Sequence, residues 1–405
     1  MMKILCYNHT GQVGGAERVL LTILERLPPR FDTLLICPEE GALRWLAREA
    51  GIATKTIGSL RARFTWRIDR LVGYLLSFAQ TILQLRRTVI EAHPDLLHAN
   101  SVRAGLVATV ATIGLKQPVI WHVHDLLPRH PFNPFIRAVA YLSKRTRIVA
   151  VARASGDRLV GNLSGLRQRL SVIPNGIDAG KFNLDSRGRT RTRRELQIAA
   201  SARVIAMVAR LTPSKGQLDL VQQFPQLLAQ FPDAKLLIVG APAFNQEHDY
   251  AAGLERAIHD FGLSECVQLL GARDDVADIM RAADLLVVNS ASEACSLVIL
   301  EAMACGTPVL ATSTGGTPEI IEHELNGWLV PWQDRQAMSE AIAKLLSQPA
   351  LRAELAACAR ARVASFFHNE RFVVEIERLY EQTCAEPFLK LANRTQTELK
   401  TADLA

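Results

Sequence analysis

Short apolar runs alternate with helix-spaced apolar residues along the whole chain. The runs cover residues 3–7, 33–37, 95–98, 119–123, 148–152, 171–173, 204–208, 235–239, 267–270, 284–288, 309–311 and 328–330. Continuous apolar strands joined by helices are typical of parallel sheets that are covered on both faces. A chain of 405 residues is also too long for a single core. The pattern therefore predicts an α/β protein with two doubly wound, Rossmann-like domains.

The predicted join between the domains is polar, because residues 179–194 include five arginines between Arg187 and Arg194. We expect an N-terminal domain at 1–184, a second domain at 185–365, an amphipathic helix at 366–384 and a polar tail at 385–405. The apolar face of that helix consists of Phe367, Phe372, Val373, Ile376 and Tyr380. Ligands of doubly wound sheets bind beyond the carboxyl ends of the strands, so two such sheets facing each other would form a cleft.

Two acidic residues follow the apolar run at 284–288. Glu293 lies in a loop, and Glu301 is the one charge in an apolar helix that stops near Gly306. A lone buried carboxylate is costly. Because a carboxylate only accepts hydrogen bonds, Glu301 could bind both hydroxyls of a ribose, and Glu293 could hold sugar hydroxyls. The alternative is that Glu301 pairs with a buried cation and Glu293 is solvated.

Two cations flank the start of a helix after the run at 204–208. Arg210 and Lys215 both belong to the loop at 209–216. Cations beside the free amides of a helix N-terminus favour a diphosphate ligand. The alternative is that both side chains are solvated.

Glycine-rich turns precede two other predicted helices. Gly11, Gly14 and Gly15 lie in the first loop, where they would let the backbone approach a ligand. The spacing is neither a dinucleotide fingerprint nor a P-loop, and a tight turn without a ligand is the alternative. Gly315 and Gly316 form a further turn that could face an anion.

Two histidines end the strand at 119–123. His122 and His124 are two residues apart, so they point to one face of a regular strand. A metal pair is conceivable, but no third ligand stands at a recognisable spacing. A hydrogen-bonding histidine in the cleft is favoured over a metal ligand, and a structural histidine capped by Asp125 is the alternative.

Composition narrows the class of protein. Seven cysteines without a Cys-x-x-Cys pair favour a reducing compartment and no zinc site. The N-terminus runs directly into a strand, which predicts no signal peptide. The apolar stretch 71–85 is shorter than the roughly 20 residues that a membrane-spanning helix needs. The expected location is cytoplasmic.

The net charge of +7 is uneven, at +13 over residues 1–184 and −6 over 185–405. The first half therefore favours an anionic partner. Residues 61–70 place four arginines among Phe64, Trp66 and Ile68, before the apolar stretch 71–85. This predicts peripheral binding to an anionic membrane surface. The alternative is an ordinary core helix. No aromatic-interleaved basic motif or helix-turn-helix signal favours nucleic acid.

Together the motifs resemble glycosyltransferase family 4, the large retaining group with GT-B architecture. The main one is Glu293-x7-Glu301 within Glu-Ala-Met-Ala-Cys-Gly-Thr-Pro-Val. The others, in order, are Gly14-Gly15-Ala-Glu-Arg, Pro94-Asp-Leu-Leu-His98, Val172-Ile-Pro-Asn-Gly-Ile-Asp178, Ala209-Arg-Leu-Thr-Pro-Ser-Lys-Gly216, Leu269-Leu-Gly-Ala-Arg-Asp-Asp-Val276 and Gly315-Gly316-x-x-Glu319. The match runs from about residue 3 to residue 380, and it does not identify the sugar that is transferred.

The resemblance implies roles for individual residues. Arg210 and Lys215 would neutralise the donor diphosphate, Glu301 would bind the ribose, and Glu293 would lie beside the donor sugar. The other implied contacts are Ser296 and Leu297 near that sugar, Ala272 and Arg273 at the base, Gly14 and Gly15 at the phosphates and acceptor, and His124 rather than His122 at the reacting sugar. The last helix would cross back onto the first domain. The family needs no metal or cofactor, and the co-substrate would be a UDP- or GDP-sugar.

One departure concerns the donor. The family commonly has Glu-Gly-Phe-Gly where this chain has Glu293-Ala-Cys-Ser296, which leaves the donor sugar open. The predicted function is transfer of a sugar from a nucleotide-sugar to a saccharide or lipid-linked acceptor, in surface polysaccharide or glycolipid synthesis. The alternatives are a GT-B epimerase or phosphorylase, or a non-catalytic binder of anionic polymers. No pyridoxal lysine stands out for a phosphorylase, and epimerases lack the Glu-x7-Glu motif.

Overall fold

The computed structural model describes residues 1–60, 68–243 and 245–385, and the side chains of 68–72, 245 and 246 are excluded. The chain forms two compact units. Unit 1 is Met1–Asn175 together with the chain from Glu370 onward, and unit 2 is Gly176–Asn369.

Unit 1 is built on a parallel sheet. Its strands are β1 (Met2–Tyr7), β2 (Phe31–Cys37), β3 (Ala53–Thr56), β4 (Leu96–Ala99), β5 (Val119–Val123), β6 (Thr146–Ala150) and β7 (Leu170–Val172). Its helices are α1 (Gly15–Arg26), α2 (Leu43–Glu49), α3 (Ile68–Ala92), α4 (Val102–Ala111), α5 (Asn133–Leu142), α6 (Arg153–Val160) and α7 (Ser164–Arg167). The strand order is β3-β2-β1-β4-β5-β6-β7. The strand order reverses between β1 and β4, which is where such sheets place a binding crevice.

Strand β3 was not predicted from the sequence. It is an edge strand that pairs only with β2, and most of its residues are exposed. An edge strand needs no continuous apolar run, because only one of its sides is paired and its faces are open. Its polar sequence therefore carries no strand signal.

Helix α3 combines a buried and an exposed apolar face. Leu85 and Val89 are buried against the unit 1 core. Leu75 and Leu83, by contrast, are 62% and 65% exposed. The interpretation of 71–85 as an ordinary core helix therefore holds for one face only. The arginine-rich segment 61–67, on which the membrane prediction rests, lies outside the described residues.

Unit 2 has a second parallel sheet. Its strands are β8 (Arg203–Val208), β9 (Ala234–Val239), β10 (Val267–Gly271), β11 (Leu285–Val288), β12 (Val309–Thr312) and β13 (Trp328–Val330), in the order β10-β9-β8-β11-β12-β13. Its helices are α8 (Ser186–Glu195), α9 (Gln217–Gln230), α10 (Asn245–Asp260), α11 (Val276–Ala282), α12 (Leu297–Cys305), α13 (Thr317–Ile320), α14 (Arg335–Ser347) and α15 (Pro349–Phe366). All six apolar runs of the second half are strands, and the order reverses between β8 and β11.

Residues 186–194 of the polar stretch predicted as the join belong instead to the helix α8. Arg193 is only 5% exposed and donates to the carbonyls of Ala282 and Ala202 and to the Asp284 carboxylate. Arg189 bonds the other carboxylate oxygen of Asp284. Arg189 and Arg193 of this stretch therefore bind the unit 2 fold, and the chain enters unit 2 at Gly176, before residue 185.

The C-terminal helix α16 (Asn369–Ala385) belongs to unit 1 from Glu370 onward. The apolar face predicted for it is buried. Phe366 is the last residue of α15, so the predicted helix start was three residues early. Of the predicted tail 385–405, only Ala385 lies within the described residues. No helix among the described residues is long and apolar enough to cross a membrane.

Candidate active site

Loops from three strands meet at the carboxyl edge of the unit 2 sheet. The Ala291 amide, after β11, donates to the Ser214 carbonyl, after β8, at 2.8 Å. The Gly316 amide, after β12, donates to the Glu293 carbonyl at 2.9 Å. One amide of the Gly315–Gly316 turn, predicted to face an anion, is therefore used within the protein. These bonds fix the loops beside the point where the strand order reverses.

Lys215 and Glu293 meet at this point. Lys215 Nζ donates to Glu293 Oε1 at 2.5 Å, and the side chains are 24% and 13% exposed. The loop turns at Gly216, whose φ of +69° favours glycine. A Cβ there would lie 2.5 Å from the Asn289 carbonyl oxygen. The structure thus brings together a cation and a carboxylate that are 78 residues apart in the chain.

Arg210 is also paired with an acidic residue. Its Nε lies 3.1 Å from Glu247 Oε1, and the Glu247 side chain is 10% exposed. Glu247 Oε2 accepts from the Ala243 amide at 2.7 Å. Glu247 lies near the start of α10 and was not predicted from the sequence, because it belongs to no motif. Neither predicted diphosphate ligand is merely solvated.

The N-terminus of α9 is partly occupied. The Leu218 amide donates to Tyr250 Oη at 3.0 Å, and Tyr250 Oη donates to buried Gln217 at 3.1 Å. Fewer amides of this helix are therefore open to a diphosphate than the sequence suggested. At α12 the residue before the helix, Ser296, makes no capping bond through its side chain. The first amides of α12, including that of Leu297, have no partner within the helix.

Glu301 lies on the half-buried face of α12. Leu297 and Val298 share that face, while Ile299 and Leu300 are buried. The helix is therefore not buried on every side, as its composition predicted. Burial raises the pKa of the Cys305 thiol to about 12, with the Glu301 charge contributing. Glu301 thus lies on the accessible face of an otherwise apolar helix.

The residues predicted to meet the base are farther along the sheet. Ala272 is exposed and follows β10, the edge strand two positions from β8. Arg273 makes two bonds to Asp275, at 2.7 and 2.6 Å. The Arg273 hydrogen bonds hold the pKa of the Asp275 carboxyl below its usual range. These residues share the carboxyl edge of the sheet with Lys215 but make no described contact with it.

In unit 1 the first glycine-rich loop packs closely against the backbone at Glu40. A Cβ on Gly11 would lie 1.7 Å from the Glu40 carbonyl oxygen, so Gly11 is required by the fold. Gly14 and Gly15 begin α1, and the Gly14 amide donates to Glu17 Oε2 at 3.0 Å. The close approach at Gly11 supports the alternative of a tight turn that the fold itself requires.

His122 lies in β5 and His124 directly follows that strand, and their ring centroids are 4.0 Å apart. His122 Nδ1 bonds His98 Nε2 at 3.1 Å, and His98 Nδ1 bonds Tyr380 Oη of α16 at 2.5 Å. Burial lowers the pKa of His98 to about 3 and that of His122 well below its usual value. His98 and Tyr380 were missed as partners, although His98 lies in the strand next to β5.

His124 is half-buried and bonds Asn100 Oδ1 through Nε2 at 2.8 Å. Burial, reinforced by His98, lowers its pKa to about 3, so the ring is neutral near pH 7. The described hydrogen-bond partner of His124 is Asn100. No group of three or more potential metal ligands is clustered within the described part of the chain.

Family models match both halves of the chain. Residues 13–181 match the model described as "Glycosyltransferase Family 4", and residues 188–362 match "Glycosyl transferases group 1". A D-inositol 3-phosphate glycosyltransferase from Actinosynnema mirum is 29% identical over 71% of this chain and 72% of its own length.

Two further proteins match nearly the full length. The UDP-Gal:alpha-D-GlcNAc-diphosphoundecaprenol alpha-1,3-galactosyltransferase of Escherichia coli is 25% identical over 91% of this chain and 94% of its own length. The crystal structure of Anabaena HepE in complex with UDP-glucose matches with a TM-score of 0.81, at 28% identity over 94% of this chain and 100% of that chain. These relatives favour transferase chemistry over the epimerase, phosphorylase and polymer-binder alternatives. The chain belongs to glycosyltransferase family 4 and is a GT-B glycosyltransferase that uses a nucleotide-sugar donor.

Proposed function

We propose that the chain transfers a sugar, with retention of configuration, from a UDP-sugar to a saccharide or lipid-linked acceptor. The observation that carries this is the Lys215–Glu293 pair at the reversal point of the unit 2 sheet. The Lys215 cation can bind a diphosphate, and the Glu293 carboxylate can accept hydrogen bonds from sugar hydroxyls. A cation in contact with a carboxylate therefore suits the junction of a diphosphate and a sugar. UDP is favoured over GDP because UDP or a UDP-sugar appears in the names of HepE's complex and the E. coli relative.

The residue roles follow from charge and position. Arg210 and Lys215 neutralise the negative charge that grows on the leaving diphosphate, assisted by the first amides of α12 after Ser296. Glu293 accepts bonds from hydroxyls of the donor sugar. Glu301, on the accessible face of α12, accepts bonds from the ribose. No metal or cofactor is assigned a role in this proposal.

Other residues complete the proposed site. Ala272 and Arg273 contact the base through their backbone. Gly14 and Gly15 lie beside the phosphates and acceptor. His124 bonds a hydroxyl of the donor sugar or acceptor, because it is a neutral imidazole at the carboxyl end of a strand.

Replacement of Glu301 by glutamine tests the nucleotide site. Glu301→Gln should weaken UDP binding by about 10- to 100-fold, because a hydrogen bond to a charged group is lost. Calorimetry with UDP and 2′,3′-dideoxy-UDP measures this. The wild type should prefer UDP strongly, and Glu301→Gln should lose most of that preference. The same affinity for UDP in both proteins, at equal thermal midpoints, would contradict the assignment.

We further propose that unit 1 binds the cytoplasmic face of an anionic membrane. Helix α5 exposes Phe135, Tyr141 and Leu142, which are 60%, 53% and 72% exposed. Lys144 follows them and is also exposed. Exposed aromatic and aliphatic side chains beside cations suit a membrane interface. A lipid-linked acceptor, as in the E. coli relative's name, would fit a role in surface polysaccharide or glycolipid synthesis.

Vesicle sedimentation tests the membrane proposal. The protein should pellet with anionic vesicles at low salt and less at high salt, because each basic residue near the surface contributes roughly 1 kcal/mol. The double change Phe135→Ser and Leu142→Ser should reduce pelleting. Phe366→Ser is the matched control, since Phe366 is 57% exposed but lies in unit 2. Protein that stays in the supernatant with anionic vesicles at low salt contradicts the proposal.

A further inference from the structure

A chain of side-chain hydrogen bonds connects the first loop to His124. It begins at Glu17, whose Oε1 accepts from Asn8 Nδ2 at 3.2 Å. Asn8 Oδ1 accepts from Asn100 Nδ2 at 3.0 Å, and Asn100 Oδ1 bonds His124 Nε2 at 2.8 Å. Asn8 and Asn100 are fully buried, and Glu17 is 7% exposed. Asn8 directly follows β1 and Asn100 directly follows β4, the strands at which the order of this sheet reverses.

Backbone carbonyls fix the direction of this chain. Asn100 Nδ2 also donates to the Ala16 carbonyl at 3.2 Å, and Asn8 Nδ2 donates to the Thr10 carbonyl at 2.6 Å. A carbonyl only accepts hydrogen bonds, so each amide nitrogen must face its carbonyl and each amide oxygen must face the other way. The oxygen of Asn100 therefore faces His124, and His124 Nε2 must be the donor.

The far end of the chain is anchored as well. Glu17 Oε2 accepts from the Gly14 amide at 3.0 Å, so the carboxylate is held from both sides. Burial raises the pKa of Glu17, while the bonds from Gly14 and Asn8 favour its charged form. The Glu17 carboxylate is the acceptor at one end of this series of hydrogen bonds, and every side-chain N–H group in the series points towards it.

We propose that Asn8, Asn100 and Glu17 are positioning residues that keep the proton of His124 on Nε2 and leave Nδ1 as a hydrogen-bond acceptor for a substrate hydroxyl. A neutral imidazole has one N–H and one lone pair, so fixing one nitrogen as the donor fixes the other as the acceptor. His124 Nδ1 is shielded from solvent and has no partner among the described residues. Binding of a substrate hydroxyl at Nδ1 therefore requires a local rearrangement that exposes this atom. The claim that a substrate hydroxyl bonds His124 Nδ1 rests on the proposed function, whereas the claim that the His124 proton is on Nε2 does not.

Nuclear magnetic resonance tests the proton position directly. In full-length protein labelled with ¹⁵N-histidine, long-range ¹H–¹⁵N correlations show which ring nitrogen carries the proton, and His124→Gln assigns the signal. We expect the proton of His124 on Nε2, with slow exchange. In Asn100→Ala the exchange-protected signal should disappear. It should persist in Asn133→Ala, which removes a buried asparagine whose amide bonds Pro128 instead.

Kinetics supply the second readout. Asn100→Ala should lower kcat by about tenfold, the effect of one neutral hydrogen bond, while Asn133→Ala leaves kcat unchanged. A His124 proton on Nδ1 in the wild type would overturn the inference, whether or not Asn100→Ala folds. A folded Asn100→Ala that keeps both the protected signal and full kcat would also overturn it. Failure to turn over any nucleotide-sugar would contradict the proposed function and leave the proton measurement valid.

Discussion

Lys215→Ala should lower kcat for sugar transfer by about a hundredfold or more, the typical loss when one donor that stabilises transition-state charge is removed. Lys215 Nζ is held 2.5 Å from Glu293 at the carboxyl edge of the sheet. In the proposed function this ammonium stabilises the charge that develops on the leaving diphosphate. Arg210→Ala should give a smaller loss, because Arg210 is 46% exposed whereas Lys215 is 24% exposed. Steady-state kinetics with a UDP-sugar measure both.

A double variant separates charge loss from misfolding. Lys215→Ala leaves Glu293 without its described cation, and an uncompensated, mostly buried charge is itself destabilising. Lys215→Ala with Glu293→Gln removes both charges and should fold normally yet remain slow. Lys235→Ala is the matched control. Lys235 lies near the amino end of β9, away from the carboxyl edge of the sheet, and its Nζ donates to the Glu265 carbonyl. An increase in KM alone, with kcat unchanged, would show that Lys215 only binds the donor.

Arg193→Met should lower the free energy of unfolding of unit 2 by about 3–5 kcal/mol, because it breaks a buried ion pair. Arg193 bonds Asp284 at 2.8 Å, with side chains that are 6% and 15% exposed. It also donates to four backbone carbonyls of unit 2. Asp284 would keep Arg189, so the lower end of the range is the expected result.

Arg191→Met is the matched control on the same helix. Arg191 is 58% exposed and pairs with Asp278 at 2.9 Å, so its loss should cost less than about 1 kcal/mol. Urea denaturation of both variants gives the comparison. Equal losses from the two variants would contradict a structural role for α8.

The ion pairs of Asp284 also make the free energy of unfolding depend on pH. Burial acts to raise the pKa of Asp284, but the Val204 amide and the two arginines outweigh burial and hold it below its usual value. A carboxyl with a lowered folded-state pKa contributes stability above its unfolded pKa of about 3.9 and loses it as pH falls through the folded value. The difference in stability between wild type and Arg193→Met should therefore shrink in acid.

The strands of unit 2 could be predicted because buried parallel strands are continuous apolar runs. β3 could not, since an edge strand is free to be polar. The residues of α8 were predicted to be a linker because five arginines are usually solvated. Of these five arginines only Arg193 is buried. Its burial depends on the Ala282 carbonyl and the Asp284 carboxylate, which lie 89 and 91 residues away along the chain.

The candidate site shows the same division. Arg210, Lys215, Glu293 and Glu301 follow strands or lie on one helix, so the sequence brings them to one sheet edge. Their partners and exposure depend on packing. Asn8 and Asn100 also follow strands directly, but a single asparagine there suggests only a turn. Glu17, three residues after Gly14, was the available signal, because that is the spacing of a capping box.

A crystal structure of the protein with UDP tests the proposed donor site most directly. We expect the diphosphate beside Lys215 Nζ and Arg210, and both ribose hydroxyls within hydrogen-bond distance of the Glu301 carboxylate. UDP bound with its ribose away from Glu301, or with its diphosphate away from Lys215, would contradict the proposed site.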